Sequence, residues 1–132
     1  MILVDTSVWI DFLHGTDSIF RQKLHDLIVH EKEICLTEII ITEILQGIKD
    51  DKAYNEIKRY LLQFPLFSAN GINNYIEAAN IFRKCRKRGI TVRKTIDCII
   101  AAIVLENRLT LFHNDNDFNY IAQCYNLKML KL

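Results

Sequence analysis

Short apolar runs alternate along the chain with longer stretches that carry apolar residues at helical spacing. The run Ile2–Val4 is too short for a helix and rich in β-branched residues, so it predicts a buried first strand. Similar runs at 33–36, 66–67, 109–112 and 127–130 predict further strands. The stretches between them predict helices that start at capping residues and end near glycine or proline. These helices cover 6–12, a segment opening at 17–18, and 37–48, 50–64, 72–88, 95–107 and 117–124.

Strands separated by helices predict an α/β fold. Such an order implies right-handed crossovers and a mainly parallel sheet that helices cover on both faces, giving three α/β/α layers. A length of 132 residues fits one domain over 1–132, without linker or repeat. Ligands of such sheets bind beyond the carboxyl ends of the strands, so functional residues are expected there.

Composition narrows the class of protein. Half of the residues are hydrophobic and 17 basic residues face 16 acidic ones, which excludes wholesale disorder and leaves nucleic-acid binding to local clusters of charge. No apolar run reaches the length of a membrane span, and the start lacks a basic leader region, so we expect a cytoplasmic protein. The four cysteines form no CxxC pair and are expected to be buried and reduced.

Acidic residues follow the predicted strands. Asp5 comes directly after the first strand, and Asp115 and Asp117 follow the strand at 109–112. Glu43 borders the apolar side of its helix with no cation at helical spacing, and Asp97 opens a very apolar helix. Helix capping, favourable contact with a helix dipole or simple solvation are the alternative explanations for these acids.

Taken together, the five acids predict a metal site. Two like charges about 4 Å apart repel by about 4 kcal/mol at an effective dielectric constant of 20, so a cluster of carboxylates needs a cation. A ligand set made only of oxygen favours Mg²⁺ or Mn²⁺ over zinc. Such an ion activates water and stabilises a leaving oxygen, which suits hydrolysis of phosphodiester bonds.

Four motifs in this order resemble the PIN-domain ribonucleases, most closely the VapC toxins of toxin–antitoxin pairs. They are VDTSVWIDFL at 4–13, TEILQG at 42–47, RKTIDCIIAA at 93–102 and NDNDF at 114–118. The resemblance covers essentially the whole chain and implies a PIN-like fold with a five-stranded parallel sheet. It also implies RNA cleavage, at structured sites in tRNA or rRNA, and a VapB-like antitoxin that lies across the active-site groove.

The resemblance assigns roles residue by residue. The metal-binding acids of the family correspond to Asp5, Glu43, Asp97, Asp115 and Asp117. The resemblance also implies a catalytic role for the first four of these acids and for Ser7. The hydroxyl two residues after the first acid, which helps to hold metal-bound water in relatives, corresponds to Ser7. None of the acids departs from the family pattern.

Seven basic residues fall between positions 83 and 94, just before Asp97. A solvated helix end is one explanation, and a surface that holds RNA phosphates is the other. The candidate RNA contacts are Arg86, Lys87, Arg88, Arg93 and Lys94. Small PIN toxins tend to pair, so a homodimer is expected, and the apolar side chains of Trp9, Phe12 and Leu13 are expected either in the core or on the dimer surface.

Other functions remain open at this point. A related DNA or flap nuclease usually carries insertions that this chain lacks. A haloacid-dehalogenase-type phosphatase needs DxD after the first strand, where this chain has Asp5-Thr6-Ser7, and a receiver domain needs an acceptor Asp absent from 67–70. A catalytically silent PIN-like module that only binds a partner is the non-enzymatic alternative.

Overall fold

The computed structural model describes the whole chain, Met1–Leu132, and alternates strands with helices. The three strands β1, β2 and β3 span Ile2–Val4, Ile34–Cys35 and Thr110–Phe112. The seven helices α1 to α7 span, in order, Thr6–His14, Ile19–Val29, Glu38–Gln46, Asp51–Leu61, Gly71–Lys87, Thr95–Glu106 and Asn116–Ala122. The α/β class is therefore confirmed.

The sheet is parallel and β1 lies at its centre. Its strand order is β2-β1-β3, and Ile2 is in register with Ile34 on one side and Thr110 on the other. Because parallel neighbours cannot be joined by a tight turn, the intervening helices form the crossovers. The chain therefore returns repeatedly to the same edge, where each strand reaches its carboxyl end.

The prediction of five strands is wrong in number. The segments expected as the third and fifth strands each contribute one parallel bridge, Leu36 with Leu66 and Leu111 with Met129. Leu36 makes two backbone hydrogen bonds with its edge segment, of 3.0 and 2.9 Å, and Leu111 makes two of 2.8 Å with the other. Pro65 has no N–H to extend the first pairing.

Capping residues start the helices largely where the sequence predicts. Ser18, Thr37 and Asp50 each accept a hydrogen bond from a backbone N–H of the first turn. The first helix is capped by Asp5, whose side chain accepts from the N–H of Ser7. Asp5 is therefore the single residue between the end of β1 and the first residue of α1.

The core is built around α6, of whose twelve residues seven are buried. α5 packs along α6 and α7 contacts both, while α1 packs on α2 and α3. The four cysteines are buried and free of disulfides, as predicted. None of the helices combines the length and the apolar character needed to cross a membrane.

The predicted dimer surface around Trp9 lies mostly inside the core. The Trp9 side chain is fully buried, and its ring centroid lies 5.8 Å from that of Phe12 and 5.7 Å from that of Phe64. Phe12 and Leu13 pack partly buried against the same core. An aromatic residue at this position therefore supports α1 and is not available to a second copy of the chain.

Candidate active site

The acids that follow β1 and β3 meet at the carboxyl edge of the sheet. The backbone N–H of Asp5 donates to the carbonyl of Phe112 at 2.9 Å, which joins the two strand ends. The Ser7 hydroxyl donates to Asp5 Oδ2 at 2.6 Å and accepts from the N–H of Asn114 at 2.9 Å. Ser7 thus ties the first acid to the loop that carries Asp115.

Three aspartates form the tightest group in this site. One carboxylate oxygen each of Asp97, Asp115 and Asp117 lies within 4.8 Å of the other two. Asp97 is 3% exposed and Asp117 is fully buried. Asp97 Oδ2 and Asp117 Oδ1 are buried without a hydrogen-bond partner. Carboxylate oxygens buried in this way need a proton or a cation, and these two meet only the longer ion pairs of Lys94 at 3.5 Å and Arg93 at 3.6 Å.

Capping does not compete with this arrangement. Asp115 is the N-cap of α7, and its Oδ1 accepts from the N–H of Asp117 at 3.0 Å. Its Oδ2 remains directed to the pocket, where it accepts from a lysine. Asp5 likewise caps α1 and borders the site. Asp5 and Asp115 therefore cap helices and also belong to the acidic site, so the two explanations do not exclude each other.

Glu43 reaches the site from α3 and is positioned by a residue that the sequence analysis did not single out. The buried Thr6 donates its hydroxyl to Glu43 Oε1 at 2.9 Å. Burial raises the pKa of Glu43, and the nearby charges of Asp5 and Asp115 raise it further. Glu43 therefore faces the same negative pocket, although it lies outside the tight group of three. The position of Thr6 beside Asp5 was the available signal.

A lysine reaches the acidic pocket from the residue that precedes α6. The Lys94 ammonium lies 2.6 Å from Asp115 Oδ2 and 3.5 Å from Asp97 Oδ2. The Lys94 backbone N–H also donates to Asp117 Oδ2 at 3.2 Å. The turn before α6 therefore places its own ammonium beside two of the acids.

The electrostatics show more negative charge than the pocket can keep ionised. Burial raises the pKa of Asp97 to about 8, and a hydrogen bond with Asp117 adds to the rise, while Lys94 opposes it. Burial also raises the pKa of Asp5 despite the hydrogen bonds from Ser7. Burial alone would raise the pKa of Asp115, but the hydrogen bond from Lys94 holds it below its usual value. The ionised Asp115 in turn raises the pKa of Lys94.

His113 fixes the turn before Asp115. Its Nδ1 accepts from the N–H of Asp115 at 3.1 Å, and its Nε2 lies 3.0 Å from Met129 Sδ. Burial lowers the pKa of His113, in keeping with a neutral ring that accepts at Nδ1. The histidine therefore orients an acid of the site and offers it no second charge.

The donor set fits a hard divalent cation. The tight group consists of carboxylate oxygens, and two oxygens of its residues have no hydrogen-bond partner. Oxygen ligands of this kind suit Mg²⁺ or Mn²⁺ and do not suit a soft metal. Asp97, Asp115 and Asp117 could hold such an ion, with Asp5 and Glu43 on the adjoining walls.

The remaining basic residues divide into two groups. The Arg93 side chain is 73% exposed, and its Nε lies 3.6 Å from Asp117 Oδ1, so it borders the acids. Arg88 donates from Nη1 to the carbonyl of Gln123 at 2.9 Å and ties the end of α5 to the end of α7. Arg86 and Lys87 are exposed in the last turn of α5. Arg88 is thus partly structural, whereas the other side chains are accessible.

Comparison with known proteins gives consistent matches over nearly the whole chain. The family model described as the PIN domain matches residues 2–123. A VapC ribonuclease of Mycobacterium bovis and ribonuclease VapC11 of Mycobacterium tuberculosis are each 35% identical over 129 residues, covering 97% of this chain and 96% of theirs.

Solved structures give the same picture of the fold. The VapBC2 structure from Rickettsia felis, bound to a promoter DNA fragment, has a TM-score of 0.75 at 15% identity and covers 98% of each chain. VapC20 of Mycobacterium tuberculosis, described as a Sarcin-Ricin loop cleaving toxin, has a TM-score of 0.71 at 13% identity and covers 97% of this chain and 99% of that chain.

Proposed function

The chain belongs to the PIN-domain family, and from this membership we propose that it is an endoribonuclease toxin that depends on Mg²⁺ or Mn²⁺. The observation that carries the proposal is the acidic pocket at the carboxyl edge of the sheet, in which two buried carboxylate oxygens have no hydrogen-bond partner. The curated ribonucleases that align over nearly the whole chain support the choice of RNA as substrate.

In this proposal Asp97, Asp115 and Asp117 hold the ion, and Asp5 and Glu43 complete the site. The ion would polarise a phosphate oxygen of the substrate and make a water molecule more acidic. Ionised carboxylates are required for binding, so Asp97 must lose the proton that burial favours.

Side chains around the acids position the remaining parts. Ser7 keeps Asp5 in place through the 2.6 Å hydrogen bond, and Thr6 does the same for Glu43 at 2.9 Å. Arg93 stands at the border of the pocket, where its exposed guanidinium can bind a phosphate in a bidentate manner. The Lys94 ammonium lies on Asp115 and Asp97 and would compete with an ion for these carboxylates.

The substrate in this proposal is an RNA with structured cleavage sites, such as tRNA or rRNA, in line with the similar VapC20, which is described as a Sarcin-Ricin loop cleaving toxin. The exposed Arg86 and Lys87, together with Arg88, extend the positive surface from Arg93 along the end of α5. Positive charge beside an acidic pocket attracts the backbone of RNA without filling the metal site. Such a substrate places the activity in the cytoplasm.

A VapB-like antitoxin is the proposed inhibitor. The similar structures include VapBC pairs from Rickettsia felis, Salmonella typhimurium and nontypeable Haemophilus influenzae.

We also propose a homodimer, on a different surface from the one predicted. Ile72, Tyr75 and Ile76 are exposed on one face of α5, at the i, i+3 and i+4 spacing of a helix contact.

The test is cleavage of total RNA by the purified protein, freed from any antitoxin, in Mg²⁺, Mn²⁺ or EDTA. We expect cleavage only with a divalent ion, and loss of cleavage in Asp5→Asn and Asp97→Asn. Asp26→Asn makes the same change on the exposed side of α2 and should cut normally. Cleavage in EDTA that survives in both active-site variants would exclude the metal mechanism. Cleavage of DNA in place of RNA would favour the related DNA nuclease.

A further inference from the structure

A second pocket adjoins the acidic site on the side of α7. It has a volume of about 590 Å³ and lies between that helix and the turn that joins α5 to α6. One wall consists of Asn116, Tyr120 and Gln123, which follow one another at helical spacing along α7. The opposite wall includes Thr91 and Arg93.

Two contacts hold these walls together. Arg88 donates to the carbonyl of Gln123 at 2.9 Å at one end of the pocket. At the other end the backbone N–H of Lys94 donates to Asp117 Oδ2 at 3.2 Å, and the Arg93 guanidinium lies beside the same carboxylate. The turn is therefore fixed to α7 on both sides of the pocket, which gives the space a defined shape.

The chemistry of the walls suits a nucleotide. Tyr120 exposes 39% of its surface, so its ring is available for stacking. Asn116 and Gln123 bring side-chain amides, which can pair with the edge of a base, and Arg93 brings a cation. The lining residues include no aspartate or glutamate, so nothing in the walls repels a phosphate.

Another pocket of similar size provides a contrast. The space of about 510 Å³ between α5 and α6 is lined by Glu77 and Glu106 among its polar residues. It lies beside the last turn of α6, whereas Asp97 is in the first turn. Its charge opposes a phosphate and its position is remote from the acids. The pocket beside Tyr120 has the favourable charge and borders the acids through Arg93.

We propose that this pocket binds the unpaired base of the nucleotide next to the scissile phosphate, stacked on Tyr120, while Arg93 binds the adjoining phosphate. The inference rests on the proposed function and adds to it a site for one base. It implies that cleavage sites are unpaired at one flanking position, because a base within a duplex cannot lie flat on the ring.

The test combines a change in the protein with a change in the RNA. An RNA that the wild type cuts is first identified by sequencing the cleavage ends, and versions are made with an abasic nucleotide at each of the three positions on either side of the cut. Single-turnover cleavage is then measured for the wild type and for Tyr120→Ala. Tyr120→Phe keeps the ring, and Tyr120→Leu keeps an apolar side chain without it.

At one flanking position the abasic RNA should lower cleavage by the wild type about 5- to 150-fold, the range expected for stacking of one base. Tyr120→Ala and Tyr120→Leu should lower cleavage of the intact RNA by a similar factor. These two variants should cut that abasic RNA at the same rate as they cut the intact RNA. Tyr120→Phe should cut like the wild type. Melting temperatures of the variants identify any loss that comes from unfolding.

The outcomes separate this inference from the proposed function. Suppose that the wild type cuts RNA. If Tyr120→Ala is equally active, the base-binding pocket alone is overturned. The same holds if the Tyr120→Ala change lowers cleavage of every abasic RNA by the same factor as cleavage of the intact RNA. Normal cleavage by Tyr120→Ala together with weaker antitoxin binding assigns the pocket to the protein partner and likewise overturns it. A wild type that leaves all RNA intact overturns the proposed function, and the pocket assignment with it.

Discussion

The proton on Asp97 is the feature of the site whose consequences are most readily measured. Its pKa is raised to about 8 in the metal-free protein, chiefly by burial, whereas the pKa of an aspartate in the unfolded chain is close to 3.8. An acid with a raised pKa in the folded state stabilises the fold below its unfolded value. That contribution is lost as the pH rises through the folded value. The metal-free protein should therefore lose stability progressively between about pH 4 and pH 8.

Replacing Asp97 with asparagine removes this dependence. The amide cannot ionise, so it carries no charge at any pH. At about 1.4 kcal/mol for each unit of pKa, the shift corresponds to several kcal/mol above pH 8. For a domain of this size the difference in melting temperature should be of the order of 10 °C.

The assay is thermal unfolding in EDTA across pH 5 to 9, with wild type, Asp97→Asn and the exposed-site control Asp26→Asn. We expect Asp97→Asn to melt close to the wild type at pH 5 and well above it at pH 9, and the control to follow the wild type throughout. An Asp97→Asn protein that melts below the wild type at pH 9, or differs from it equally at every pH, would refute the reasoning.

Three further predictions follow from the same contacts. Lys94→Met should bind Mn²⁺ about tenfold more tightly in a calorimetric titration, because the charge-assisted hydrogen bond of Lys94 no longer competes with the ion. The same variant should cut RNA more slowly. An unchanged affinity for Mn²⁺ would show that Lys94 does not compete for the carboxylates. Replacing Arg86 and Lys87 with alanine in the Asp5→Asn background should reduce the salt dependence of RNA binding by about 0.7 per lost contact, whereas Arg88→Ala should mainly lower the melting temperature; an unchanged salt slope would show that the first two make no phosphate contact. Ile76→Asp should convert a dimer to a monomer by light scattering, and a wild type that is already monomeric at micromolar concentration would contradict the dimer.

Local signals explain why most of the fold could be predicted from the sequence. Ser18, Thr37 and Asp50 start their helices because a short polar side chain can accept the first free N–H groups, which is a property of neighbours in sequence. The outer segments near Leu66 and Met129 were overestimated as strands. Their apolar character indicates that they pack against the sheet. The number of backbone hydrogen bonds that they form with the neighbouring strand depends on the tertiary structure, which local sequence does not determine.

The same distinction applies to the site. The position of Asp5 and Asp115 at the ends of parallel strands brings them to one edge of any such sheet, and a strand–helix pattern is enough to predict it. The place of Lys94 depends on the turn before α6, which long-range contacts with Asp117 hold. Burial of Trp9 depends on rings from α4 and beyond, so the sequence could not distinguish a core residue from a dimer contact.

The central claim is that the acidic pocket holds the divalent ion on which RNA cleavage depends. It is tested most directly by titrating Mn²⁺ into the metal-free protein, following bound ion by electron paramagnetic resonance and RNA cleavage in the same samples. We predict that binding and cleavage reach half-saturation at the same Mn²⁺ concentration and that both are lost in Asp97→Asn. Full cleavage before the site fills, or cleavage by an Asp97→Asn protein that binds no ion, would contradict the account.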